Sequence, residues 1–196
     1  MQRDFDSNFP MCTPVNTQTS TAMITGSISR VGGGVSVAVR GLSASLQARG
    51  SPVRILSQRD THSAEDLHEW DGLNVHLAPI TGPRSFAFSL QNQFVTAELD
   101  VDLVHLHGLW TGSSLLAQRW SRRLRPTVVS PHGMLDDWAL RASSLKKRAY
   151  WALFESKTVT QAHCIHALSR SEADSVRALG LRNPVAIIPN GIDLPQ

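Results

Sequence analysis

Cysteine is nearly absent: the chain holds only Cys12 and Cys164, which excludes a disulfide scaffold and reads as two free thiols in a reducing compartment. Long hydrophobic runs are missing too, none approaching the roughly 18 residues a membrane span needs. The opening MQRDFDSNFP carries acids where a secretory signal would have its apolar stretch. A cytoplasmic protein is expected. Charge of one sign is scarce, with 19 Lys and Arg against 16 Asp and Glu, so nucleic acid is not an expected partner. Neither Gly-x-Gly-x-x-Gly nor a Walker A loop occurs. Hairpin signals between strands are also lacking, which argues against antiparallel meanders.

What the chain does have is alternation of strand-like and helix-like segments. At 196 residues it fits one domain with a real core. Residues 1–20, rich in Thr, Ser, Asn, Gln and Pro, are expected to form a flexible tail, and 21–196 the folded domain. A first strand is expected over Ala22–Ile28. It leads through Gly32, Gly33 and Gly34 into a helix whose Val35, Val39, Leu42 and Leu46 share a face and which Gly50 ends. Strands follow at Val53–Ser57, Leu73–Ile80, Asp102–His107, Val128–Ser130, Cys164–Leu168 and Val185–Ile188. Between them, Phe86, Leu90, Phe94 and Ala97 predict one helical face, and Leu116, Trp120 and Leu124 another. Leu145, Ala149, Ala152, Leu153 and Val159 predict a third. Ser169 and Glu172 fit a capping box, the carboxylate returning to the Ser169 amide. The predicted fold is therefore α/β: a doubly wound, mostly parallel, Rossmann-like sheet of about seven strands.

Such sheets bind ligands beyond the carboxyl ends of their strands. Three expected turns lie there: the glycine loop, His107–Trp110 and Pro131–Gly133. Glycines between a strand and a helix amino terminus let backbone N–H groups approach an anion, although they also make a plain tight turn. His132, where a β-branched run stops at Pro and Gly, is placed for proton transfer or for loop packing. His105 and His107 share a strand face. With His132 and Asp136 or Asp137 they admit a second reading, a zinc hydrolase. Lys146, Lys147 and Arg148 fit a solvated face, or contact with an acidic membrane surface or a phosphate-bearing acceptor.

Taken together, the glycine loop, HLHGLW at 105–110, SPHGMLDDWAL at 130–140, the Lys-Lys helix, ALSRSEAD at 167–174 and IPNGID at 188–193 resemble glycosyltransferase family 4. The likeness is to the amino-terminal, acceptor-side domain of these retaining enzymes, which pair two Rossmann-like domains (the GT-B type). The resemblance implies a nucleotide-sugar donor and a glycan or lipid-linked acceptor, as in polysaccharide biosynthesis. It also implies possible peripheral contact with the inner face of the membrane; no cofactor or resident metal is expected. It assigns Gly32, Gly33 and Gly34 to the donor diphosphate. His132 takes the catalytic place beside the transferred sugar, hydrogen-bonding or polarising the reacting groups. His107, Gly108, Trp110, Gly133, Asp137 and Trp138 shape the acceptor side, and Asn190 marks the hinge.

The sequence departs from the family at one place. The second domain's Glu-x7-Glu motif has no counterpart, because none of the five Glu residues has another eight positions on. The expectation is thus half an enzyme, inactive alone, whose carboxyl-terminal domain sits on another chain or has been lost by truncation. A noncatalytic binding module is the alternative. Either way, apolar surface around Trp110 and Trp138 is expected to be open and to favour association.

Overall fold

The computed structural model describes residues 18–82, 86, 88–122, 125–136 and 150–191. Seven strands form one sheet, parallel at every pairing, in the order β3-β2-β1-β4-β5-β6-β7. They are β1 (Thr21–Thr25), β2 (Val53–Gln58), β3 (Asn74–Ala78), β4 (Leu103–His107), β5 (Thr127–Ser130), β6 (Cys164–Ala167) and β7 (Val185–Ile187). The described helices include α1 (Gly33–Ala48), α2 (Ser63–Asp66), α3 (Leu90–Glu98), α4 (Ser113–Ser121), α5 (Ser156–Thr160) and α6 (Arg170–Ala178). The order reverses between β1 and β4, and the carboxyl ends of the strands at such a switch point are where sheets of this kind bind ligands.

Alternation along β1 supplies both faces of the core. Ala22 and Ile24 join Leu56, Val104, Leu106, Leu116, Trp120 and Val129 on one side, while Met23 joins Ile28, Val39, Val53, Ile55 and Trp70 on the other. A strand covered on both faces reads as a continuous apolar run, and all five residues of β1 are buried. That burial places the ladder out of water and leaves the strand ends to carry polar chemistry.

Several expectations need correction. β1 stops at Thr25, not Ile28, because Gly26–Ser29 leave the ladder and the Ser27 and Ser29 hydroxyls turn to Asp60. Phe86 lies ahead of α3 and Leu90 is exposed, so the proposed apolar face is not formed by them. Ala152 and Leu153 point outward, Leu153 at 61% exposure. A wide π turn at Trp151–Glu155 shifts the helical phase there and brings Glu155 inward instead. Leu116, Trp120 and Val159 are buried as expected. Residues 1–17 of the expected tail, Leu124, Leu145, Ala149, the Lys146–Arg148 cluster, Asp137 and Trp138 lie outside the described residues. Ser20 is docked on Asp102, whose carboxylate accepts its amide at 2.8 Å and its hydroxyl at 2.7 Å.

Candidate functional site

The glycine loop, the β4 turn and the β5 turn follow three neighbouring strands and so stand along one edge of the sheet. The loop after β1 is held from beneath by two acids that follow β2. Asp60 accepts the Ser27 hydroxyl at 2.6 Å, the Ser29 hydroxyl at 2.9 Å and the His62 amide at 2.9 Å. Burial works to raise its pKa, but the hydrogen bonds from Ser27, His62, Ser29 and Ser63 outweigh it and hold the carboxyl below its usual range. Asp66 accepts the Arg30 amide at 2.7 Å and its guanidinium as well, and Arg30 keeps this carboxyl far below its usual range. Arg30 also pairs with Glu65. The cation beside the glycine loop is therefore already neutralised by the protein's own acids.

Within the loop the three glycines differ. A Cβ on Gly32 would lie 3.0 Å from both the Ser27 carbonyl oxygen and the Ser36 Cβ, so this position is small for packing. Gly33, at φ +53°, and Gly34 face open space at the start of α1. No side chain caps that helix start; the Gly33 amide donates to the Arg30 carbonyl, and the amides from Gly34 on are left to an anion.

The next two turns share an uncommon feature. Trp110 and His132 are the two described non-glycine residues with positive φ, at 68° and 54°. An L-residue costs roughly 1–2 kcal/mol in that conformation, so something must hold each turn. Buried carboxylates do it in both cases. Glu155, from the π turn, accepts the Trp110 amide and, at 2.6 Å, the Ser114 hydroxyl. Burial pushes its pKa up to about 7, against the pull of those two donors. Glu172, from α6, accepts the Gly133 amide at 2.6 Å and the Leu168 amide at 2.6 Å. Ser169 caps α6 as expected, its hydroxyl accepting the Glu172 amide at 3.1 Å, but the Glu172 side chain does not return to Ser169. It reaches the Gly133 amide of the histidine turn and the Leu168 amide beyond β6 instead.

Four histidines gather at this edge. His105 and His107 lie with ring centroids 4.0 Å apart, their planes tilted by 33°, and His132 and His166 flank them at 5.4 and 5.6 Å. One string runs from His132 Nε2 to His107 Nδ1 at 3.1 Å, with His107 Nε2 3.4 Å from the Met23 sulfur. The other runs from His105 Nε2 to Ser130 Oγ at 2.7 Å, on to His166 Nδ1 at 2.9 Å, and from His166 Nε2 to the Ile188 carbonyl at 2.8 Å. Burial, reinforced by the neighbouring rings, lowers His105 to about 3, His132 to about 4 and His107 well below its usual value. These three rings are neutral at pH 7.

The zinc reading gains no support among the described residues, of which Asp137 is not one. His105 Nε2, both nitrogens of His107 and His132 Nε2 are engaged with one another, with a hydroxyl and with a thioether. Among the described residues no group of three or more His, Cys, Asp or Glu is arranged to hold an ion.

Of the residues singled out from sequence, Gly33, Gly34, His107, Gly108, Trp110, His132 and Gly133 stand along this edge. Gly108 packs against Met134, whose Cε would lie 3.3 Å from an added Cβ. Trp110 is half-buried against Tyr150 and Trp151, so less of it is open than expected. Asn190 is exposed beyond β7, two strands from β5. Sequence reading missed Ser130, His166, Glu155 and the outward reach of Glu172. Only the period-two match of Ser130 and His166 to the His105–His107 face was available as a signal.

The family model described as a glycosyl transferase 4-like domain matches residues 33–191. By sequence, no curated protein matches the chain. Among solved structures, the chain is similar to the lipopolysaccharide outer core galactosyltransferase WaaB, at TM-score 0.63 and 14% identity, covering 90% of this chain and 47% of that one. It is similar to UDP-GlcNAc 2-epimerase from Methanocaldococcus jannaschii, at 0.63 and 11%, covering 87% and 45%. The same enzyme from Neisseria meningitidis, bound to UDP-GlcNAc, gives 0.61 and 13%, covering 87% and 46%. The chain thus spans less than half the length of these neighbours, and at such identities the likeness is one of fold. A seven-stranded parallel domain of this size is consistent with the amino-terminal half of a GT-B fold. With the family model covering most of its length, the chain belongs to the glycosyl transferase 4-like domain family.

Proposed function

We propose that this domain is the acceptor-side half of a retaining glycosyltransferase, moving a sugar from a nucleotide-sugar donor to a polysaccharide or lipid-linked acceptor. The observation that carries the reading is the meeting of the glycine loop, the Trp110 turn and the His132 turn along one sheet edge at the switch point. Family membership supports sugar transfer, and one structural neighbour is a galactosyltransferase while another holds UDP-GlcNAc.

Charge argues for a second lobe. A nucleoside diphosphate leaving group needs cationic or N–H stabilisation as it departs. Gly34 offers its amide, the Gly33 amide being taken by the Arg30 carbonyl, but Arg30 is committed to Asp66 and Glu65. The remaining stabilisation comes from a companion Rossmann-like domain that closes the cleft, whichever polypeptide carries it. Gly108 and Trp110 are assigned to the acceptor side together with Asp137 and Trp138, His107 backs His132 from within the fold, and Asn190 is assigned to the hinge. The domain works at the inner membrane face when its acceptor is lipid-linked; no described helix is long and apolar enough to cross a membrane.

The test is reconstitution with a carboxyl-terminal domain of the same family and a panel of nucleotide sugars. Transfer that requires both parts is the expected result. Absence of transfer from every donor, with both parts folded and associated, favours the noncatalytic binding module instead.

A further inference from the structure

The geometry points to a fixed tautomer of His132, proton on Nε2 and bare nitrogen at Nδ1, which makes this ring an obligate hydrogen-bond acceptor selecting a substrate hydroxyl over a phosphate oxygen. Met23 sets the direction of the string. A thioether sulfur accepts weakly and never donates, so the buried His107 Nε2, 3.4 Å from it, carries the proton. In a neutral imidazole the other nitrogen is then an acceptor. His107 Nδ1 therefore receives its hydrogen bond from His132 Nε2 at 3.1 Å. The reverse assignment would aim the His107 Nε2 lone pair at the sulfur and leave a buried acceptor unsatisfied, which costs free energy. That cost decides the direction of the string.

Desolvation keeps His132 neutral as well, so its Nδ1 has a lone pair and no proton. Among the described residues Nδ1 has no hydrogen-bond partner, and it is not among the fully buried polar atoms. The positive φ of His132 and the Glu172 clamp on Gly133 fix where that lone pair sits. A neutral acceptor takes a hydroxyl donor and repels the oxygens of an oxyanion that carries no proton. The edge is thereby divided: anion at the α1 amides from Gly34 on, hydroxyl at His132.

In the second string only the end is fixed: the Ile188 carbonyl accepts, so His166 Nε2 donates to it, and the Ser130 hydroxyl bridges His166 Nδ1 and His105 Nε2. The His107 and His132 proton positions follow from one terminal acceptor, the Met23 sulfur.

The assignment of a sugar hydroxyl rests on the proposed transfer function, but the tautomer does not. It is read on the full chain alone, by long-range 1H–15N correlation of the histidine rings near neutral pH. The expected spectrum has His132 protonated at Nε2 and bare at Nδ1, and His107→Phe, which removes the acceptor, turns it into a mixture of both tautomers. A proton on Nδ1 in the parent chain overturns the proposal. Adding methyl glucoside is expected to shift the His132 Nδ1 resonance, and sulfate, an oxyanion with no O–H near neutral pH, to leave it in place. A resonance that stays put up to the solubility limit of the glycoside, or that moves equally with sulfate, overturns the hydroxyl assignment. Neither outcome depends on whether transfer is ever observed.

Discussion

Glu172 and Gly133 lie 39 residues apart in sequence, yet the carboxylate of one accepts the backbone amide of the other at 2.6 Å. The contact joins the amino end of α6 to the turn that presents His132. Because the same carboxylate also holds the Leu168 amide, one buried side chain fixes the β5 and β6 ends together.

Replacing Glu172 by Ala is expected to destabilise the domain by about 1.5–3 kcal/mol, the usual worth of hydrogen bonds to a charged group. Urea unfolding checks this through a lower midpoint at unchanged slope. Glu172→Gln, which keeps one acceptor oxygen, should lose less. An unmoved midpoint in the alanine variant would show that the clamp contributes nothing.

Stability should fall as the solution is acidified below about pH 6.5. In the unfolded chain His105, His107 and His132 take up protons near their ordinary value of 6.5, whereas the folded chain resists until about 3 for His105 and about 4 for His132. Glu155 works the other way: its folded value of about 7 exceeds the ordinary 4.5, so its contribution is full below 4.5 and is lost as pH rises toward 7. Between pH 4.5 and 6.5 the unfolded chain therefore holds three extra histidine protons and lacks one carboxyl proton, a net of two. The slope is up to roughly 2–3 kcal/mol per pH unit. Denaturation midpoints that are flat or rise on acidification across that window contradict the burial of the histidine group.

Gly34→Ala should fold at least as well as the parent, gaining up to about 1 kcal/mol from helix propensity, since nothing lies within 4 Å of the added methyl. Gly33→Ala should instead cost roughly 1–2 kcal/mol because of its φ of +53°. Thermal unfolding separates the two. In a reconstituted two-domain enzyme, Gly34→Ala should nevertheless weaken nucleotide-sugar binding by blocking close approach to the α1 amides. A variant with unaltered affinity would place the diphosphate elsewhere.

In the same reconstituted enzyme, His132→Ala should lower kcat more than it weakens donor binding, because the ring meets the reacting sugar and not the nucleotide. Equal losses in both would mark His132 as purely positional.

Much of this was legible in the sequence. Strand and helix order followed from periodicity and glycine punctuation, since residues such as Ala22–Ile24 or Leu116 and Trp120 report their own burial. The three turns were placed by Gly and Pro. What could not be read were long-range choices among several available partners. Glu172 had a local amide at Ser169 in capping distance by sequence, but Gly133 and Leu168, brought close by the sheet, won its carboxylate. Glu155 looked like one polar residue in a helical stretch; a π turn, which hydrophobic spacing does not announce, aimed it at Trp110. His105 and His107 were correctly put on one face, yet their partners Ser130, His166 and Met23 come from three other strands.

The account's central claim is that three turns form the rim of a single ligand cleft. Backbone amide shifts of the labelled chain, recorded as a nucleotide sugar is titrated in the presence of a companion domain, test it most directly. Gly34, Leu109 and Gly133 are expected to move together with one saturation curve, while residues at the opposite end of the strands, such as Thr21 and Leu103, stay still. Shifts confined to one turn, or centred on the far end of the sheet, would contradict it.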